Sequence, residues 1–166
     1  MYSRILAPID GSVTSAHAFD EALKIARAGN AVLQALYVVD LHPVAYDATA
    51  AFYPDIRRTL LEEGRRLTSE AVQRMAREGV SGAPRIAELS LTGDDIAACI
   101  AQCAEDFGAG LVVMGTHGRR GLRRLVLGSV AEGFMRIARC PVLLVPGREA
   151  EERALEAPQA ANTPAD

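Results

Sequence analysis

The sequence predicts a doubly wound α/β domain: five mostly parallel strands with four helices between them. Two observations carry that expectation. Short apolar runs of strand length alternate with segments of helical periodicity from residue 2 to residue 146, which is the pattern of a parallel sheet covered on both faces. The run Leu111–Gly115, LVVMG, is apolar at successive rather than alternate positions, as in a strand buried on both sides. The chain's 166 residues fit one domain, and 49% apolar with 23% charged residues is ordinary globular composition. Such a chain needs neither disulfide nor structural metal to hold its core.

Taken in order, residues 2–9 (YSRILAPI) form a first strand, and Asp10-Gly11-Ser12 form a turn with Ser12 as the helix cap. Ala16, Phe19, Leu23 and Ala26 then recur at helical spacing until Gly29-Asn30 stops the helix. Ala31–Val39 is a second strand. Asp40 to Pro54 has no clear periodicity and reads as a long loop, a kind of segment that often carries function. A second helix places Ile56, Leu60, Leu67, Ala71 and Met75 on one stripe, and Gly79 and Gly82 end it.

Arg85–Leu91 reads as a third strand, followed by Thr92-Gly93-Asp94 and a helix with the stripe Ile96, Cys99, Ile100, Cys103 and Phe107. Asp94 and Asp95 suit the positive end of that helix. Gly108–Gly110 closes it, Leu111–Gly115 is the fourth strand, Ser129–Ala138 a helix, and Pro141–Pro146 the last strand. The domain is thus expected over residues 1–147, with 148–166 as a disordered, acidic tail rich in Ala and Pro.

The net charge is −3 and the chain has a single lysine, Lys24, so no global basic field points to nucleic acid. The opening MYSRILAPIDGS has an apolar run too short for a signal segment, and no stretch has the length of a membrane span. A cytoplasmic protein is expected. Three cysteines cannot all pair within the chain, and Cys99 and Cys103, four apart on a helix, read as buried thiols. His117, the nearest histidine, falls in another element, which argues against a metal site.

The chemistry concentrates in MGTHGRRGLRRLVLGSV, where Gly115, Gly118 and Gly128 precede Ser129 at a helix start. Phosphate oxygens can reach a row of backbone N–H groups only where no Cβ intervenes and where positive φ is allowed, and a helix N-terminus adds unpaired donors. Arg119, Arg120, Arg123 and Arg124 lie between the glycines and either oppose a polyphosphate or sit as solvated surface charges. His117 reads as exposed. In a doubly wound sheet, ligands bind beyond the carboxyl ends of the strands where strand order reverses, which directs attention to Asp10 as well as Gly115. Asp10-Gly11-Ser12 alone is more often a turn with a cap; beside a complete glycine motif, a ligand role becomes the better reading.

These residues resemble the universal stress protein family, in the branch carrying G-x-x-G, nine residues, then G-[S/T]. Gly115-Thr116-His117-Gly118, Arg119–Leu127 and Gly128-Ser129 match that pattern in full. ILAPIDGS at 5–12, YVVD at 37–40 and CPVLLVP at 140–146 are similar to the family's first, second and last strands. The resemblance implies an adenine nucleotide alpha hydrolase-like fold with strand order 3-2-1-4-5, and an ATP site. Asp10 and Pro8 would lie on the adenosine side, the backbone of Val38 against the adenine, and Met114 at the mouth of the pocket. Gly115, Gly118, Gly128, Ser129 and Val130 would hold ribose and phosphates, with Mg²⁺ accompanying the triphosphate. It further implies a homodimer through the last strand, whose apolar edge 142–145 would otherwise be an aggregation hazard. The chain departs from the family at Tyr37, where a histidine is frequent.

Three functions compete. The first is a nucleotide-dependent stress-response or signalling module with an unspecified downstream partner. The second is a slow ATPase, which Asp10, a metal and Arg119 or Arg120 would have to support without any base or nucleophile-positioning residue that the sequence names. The third is a binder of AMP, cyclic AMP or another adenosine ligand. G-x-x-x-x-G-K-[S/T] and a G-x-G-x-x-G after the first strand are both missing, which excludes phosphate-loop NTPase and dinucleotide readings. A receiver domain with Asp10 as phosphoacceptor has no use for the later glycine loop.

Overall fold

The computed structural model describes residues 1–41, 53–89, 95–116 and 127–147. Among these the elements are β1 (Arg4–Pro8), α1 (Val13–Gly29), β2 (Val32–Val39), α2 (Tyr53–Arg77), β3 (Gly82–Glu88), α3 (Ile96–Phe107), β4 (Leu111–Gly115), α4 (Ser129–Ile137) and β5 (Val142–Val145). All strand pairs are parallel, in the order β3-β2-β1-β4-β5. The expected fold class and strand order are therefore observed.

The two faces of the sheet carry separate layers. Ile5, Ala7, Leu33, Ala35, Tyr37 and Val113 pack with Phe19 and Ala22 of α1 and with Ala71 and Met75 of α2. Leu6, Leu36, Val112 and Met114 pack with Ile100 and Cys103 of α3 and with Ala131 and Phe134 of α4. Period-two alternation along β1 and β2 sends neighbouring residues into opposite layers. Leu111 to Met114 are all buried, as expected of a strand covered on both faces.

The helix ends follow local chemistry. Ser12 caps α1, its Oγ accepting from the Ser15 N–H at 3.1 Å, and Asn30 ends the helix in the left-handed region at φ 48°. Asp95 caps α3 through the Ala98 N–H at 2.7 Å. Some expectations need correction. The second helix begins at Tyr53, so Tyr53 and Pro54 belong to its first turn, where a proline lacks nothing the helix needs. The rest of the expected 40–54 loop, residues 42–52, lies outside the described residues, as does the 148–166 tail.

The third strand runs from Gly82 to Glu88 rather than from Arg85 to Leu91. Gly82 is thus a strand residue: a Cβ there would stand 1.8 Å from the Leu33 carbonyl oxygen, so the approach of β3 to β2 demands a glycine. Pro84 is tolerated because β3 is an edge strand. Of the two expected buried thiols, Cys103 is 2% exposed, but Cys99 is only half-buried, as is Cys140. No helix of the described residues is long and apolar enough to cross a membrane.

Candidate functional site

Strand order reverses between β1 and β4, which lie side by side with Ile5 opposite Leu111 and Leu6 opposite Val112. The two chains leave the sheet at the same edge, one toward α1 and the other toward α4, and the crevice between such diverging connections is where a doubly wound sheet receives ligands. Pro8, Asp10 and Gly115 are half-buried at this edge, and Met114 is buried beneath it.

The β1 exit is a pinned turn. Asp10 Oδ1 accepts from the Ser12 N–H at 2.9 Å, so the carboxylate closes the turn that the sequence reading gave as its alternative role. Gly11 adopts φ 83°, a left-handed conformation that a side chain would strain, and a Cβ there would meet Leu67 of α2 at 3.3 Å. Ser15, buried, donates its hydroxyl to the Ser12 carbonyl at 3.0 Å and accepts from the Asp10 N–H at 3.3 Å. An ionised carboxylate has about four lone-pair sites, so a turn bond to one oxygen does not use up its capacity to meet a ligand. Gly11 and Ser15 were not singled out as site residues; Ser-x-x-Ser across the cap was the available signal.

At the β4 exit the end of the strand and the start of α4 are bonded to each other. The Thr116 N–H donates to the Val145 carbonyl at 3.0 Å, and the Gly128 N–H donates to the Thr116 carbonyl at 2.8 Å, returning the chain to the strand end it left. Gly128 is the N-cap of α4 with φ −64° and ψ 149°, and among the described residues no side chain caps the helix. Its glycine is therefore not required by positive φ. What it provides is a bare helix entrance, with the N–H groups of the first turn carrying partial positive charge. Ser129 is exposed at that entrance, while Leu127 and Val130 pack into the same layer as Met114.

Val38 stands at the carboxyl end of β2, half-buried on the α3–α4 side with Met114. Its neighbour Tyr37 faces the opposite layer, 3% exposed against Gly64 of α2. The position where the family often has histidine is thus core here, on the other face from Val38. Pro8, Asp10, Val38, Met114, Gly115, Gly128, Ser129 and Val130 all fall at the carboxyl edge of the sheet. Gly118, His117 and the four arginines at 119, 120, 123 and 124 lie outside the described residues. Among the described residues no three His, Cys, Asp or Glu side chains form a metal cluster. The site offers an acidic turn on one side and an uncapped helix N-terminus on the other, which suits a ligand with an anionic end.

Known proteins share this architecture. A universal stress protein of Methanocaldococcus jannaschii is 38% identical over 146 residues, covering 87% of this chain and 82% of that protein. A solved protein of the universal stress protein family from Burkholderia pseudomallei is 41% identical, with a TM-score of 0.73 over 87% of this chain and 96% of its own. A universal stress protein solved in complex with cAMP is 26% identical, with a TM-score of 0.58 over 88% of this chain and 98% of its own. With a family model, that of the Universal stress protein family, matching residues 1–146, this chain belongs to the universal stress protein family.

Proposed function

We propose that the chain is a nucleotide-dependent stress-response module that binds ATP with Mg²⁺ at the carboxyl ends of β1 and β4. The observation that carries this reading is the Gly128 N–H to Thr116 carbonyl bond, which brings an uncapped helix N-terminus back to the end of β4. Gly115, Gly118, Gly128, Ser129 and Val130 take the ribose and phosphates; Pro8, Asp10, the Val38 backbone and Met114 take the adenosine. The 26% identical protein bound to cAMP supports the adenine-nucleotide class. The ATP choice rests on the complete glycine motif and on the arginines within it.

Mg²⁺ fits the donor set as a hard cation that uses few protein oxygens and several from phosphate. Among the described residues the Asp10 carboxylate and Ser129 hydroxyl are protein oxygens that the site can offer, and the ion supplies charge neutralisation for the triphosphate. The role needs no turnover: ligand occupancy sets which surface a downstream partner meets. We place the binding unit at residues 1–147 and the protein in the cytoplasm, where three thiols outside any disulfide stay reduced. A homodimer forms through β5, an edge strand of four apolar residues with Leu143 exposed.

Titration calorimetry with Mg·ATP, on protein freed of co-purified nucleotide, tests the assignment. Binding of roughly micromolar strength is expected, and Asp10→Ala or Ser129→Ala should weaken it by about tenfold, the loss of one charge-assisted hydrogen bond. Tighter binding of AMP or cyclic AMP would move the ligand to a monophosphate. Folded, empty protein that binds no adenine nucleotide would overturn the site.

A further inference from the structure

A second group of reactive side chains lies away from the nucleotide crevice, in a groove between β3 and α3. The groove holds about 350 Å³ and is lined by Arg85, Ala87 and Leu89 from the β3 side and by Cys99, Gln102 and Cys103 from α3. Cys99 and Cys103, one helical turn apart, lie on the same face of the helix and both line the groove. Arg85 reaches this face from β3 and is tethered there: its Nη2 donates to Asp106 Oδ2 at 2.8 Å, and Asp106 Oδ1 accepts from Gln102 Nε2 at 2.8 Å. Glu88 also borders the groove, held outward by two bonds from Arg57 at 2.7 and 2.8 Å. We propose that this groove is a second site, in which Cys103, 2% exposed and reached through the groove it lines, partnered by Cys99 and faced by Arg85, is an oxidisable thiol whose substrate is a small hydroperoxide.

Electrostatics supports the geometry. The neighbouring Cys99 side chain, and to a lesser degree the Arg85 charge, outweigh burial and the Asp106 charge, bringing the Cys103 thiol down to about 7. Cys140, half-buried, has its thiol pushed up by burial. The same chain therefore holds a more nucleophilic thiol and a less nucleophilic one. A guanidinium beside the thiols disfavours a metal cation and favours an anionic sulfur, which selects an electrophilic oxidant over a metal as the occupant.

The reaction balances as follows. The Cys103 thiolate, its proton already released to solvent, attacks one oxygen of hydrogen peroxide; an S–O bond forms, the O–O bond breaks, and hydroxide leaves to take a proton and become water. Sulfur is oxidised to the sulfenic state and the peroxide is reduced. Cys99 can then attack the Cys103 sulfur, forming a disulfide and releasing a second water. Residues four apart on a helix have Cβ atoms about 5–6 Å apart, whereas a disulfide needs about 3.5–4.5 Å. Closing it distorts the middle of α3, which makes the product readily reducible.

Peptide mass spectrometry after limiting hydrogen peroxide at pH 7 tests the proposal, with Cys140 as the internal control. The gain in thiolate fraction, less the nucleophilicity lost with the lower pKa, gives Cys103 a rate advantage of roughly fivefold. Oxidised Cys103 is counted as sulfenic acid or as the 99–103 disulfide; Cys99→Ala should leave only the former. Cys99→Ala should also remove most of the advantage, Arg85→Gln a smaller part of it that Arg85→Lys partly restores, with thermal unfolding confirming that each variant is folded. Cys103 oxidised no faster than Cys140, or an advantage unchanged in Arg85→Gln, would overturn the proposal.

Discussion

Gly64 sits in the middle of α2 where the helix crosses β2, and replacing it with alanine sets two effects of opposite sign against each other. A Cβ at this position would lie 2.6 Å from Cδ1 of Tyr37, 3.1 Å from its Cε1 and 3.3 Å from its Cγ. The ring is 3% exposed and cannot tip into water. Ordinary contact begins near 3.4 Å, so helix or ring must move by most of an ångström. Alanine gains about 1 kcal/mol of helix propensity over glycine, while overpacking a core costs about 1–3 kcal/mol. Gly64→Ala should therefore destabilise the protein by up to about 2 kcal/mol. In a Tyr37→Ala background the obstacle is gone, and the same change should stabilise by about 1 kcal/mol. Urea unfolding followed by circular dichroism reads both legs. A stabilising Gly64→Ala in the wild-type background, or no change of sign between backgrounds, would refute the account of how α2 is held against the sheet. The contact bears on the site because α2 also supports Gly11 through Leu67, 3.3 Å from where a Cβ would stand.

Two further outcomes are expected. Gln34 buries its Oε1 without a partner among the described residues, and an unmet buried acceptor costs about 1–3 kcal/mol; Gln34→Met should raise the unfolding temperature by about 2–4 °C, and a fall would show that the oxygen is solvated or bonded. If β5 pairs with its copy, light scattering should give twice the 17.7 kDa chain mass and Leu143→Asp should return the monomer; a monomeric wild-type protein at micromolar concentration would remove the dimer.

The parts of the fold that were legible in the sequence are those whose local chemistry and tertiary surroundings agree. β4 reads as a strand because Leu111 to Met114 are apolar without alternation, and they are buried on both faces. The ends of α1 read correctly because Ser12 and Asn30 act through their own backbone neighbourhood. β3 misled because its pairing with β2 overrides its composition: an edge strand tolerates Pro84 and Arg85, and Gly82 looks like a helix stop until the Leu33 carbonyl is seen 1.8 Å from its missing Cβ. The same limit applies at Gly64, whose reason is a ring on a strand 27 positions earlier.

The two sites divide along that line. Glycine spacing marked the β4 exit, since a bare helix entrance is written in consecutive residues, but it could not show that Gly128 returns to Thr116 across the intervening segment. For Cys99 and Cys103 the spacing gave a shared helix face and nothing about what stands opposite. A thiol on an apolar stripe is inert if it faces leucine and reactive if it faces a guanidinium, and Arg85 comes from a strand whose limits the sequence misplaced. Arg85 shares its register with Leu36 of β2, which lies in the α3–α4 layer. Once β3 is paired in that register, the arginine must point toward α3, and the sheet adds a positive charge to the thiol pair that the helix already sets side by side.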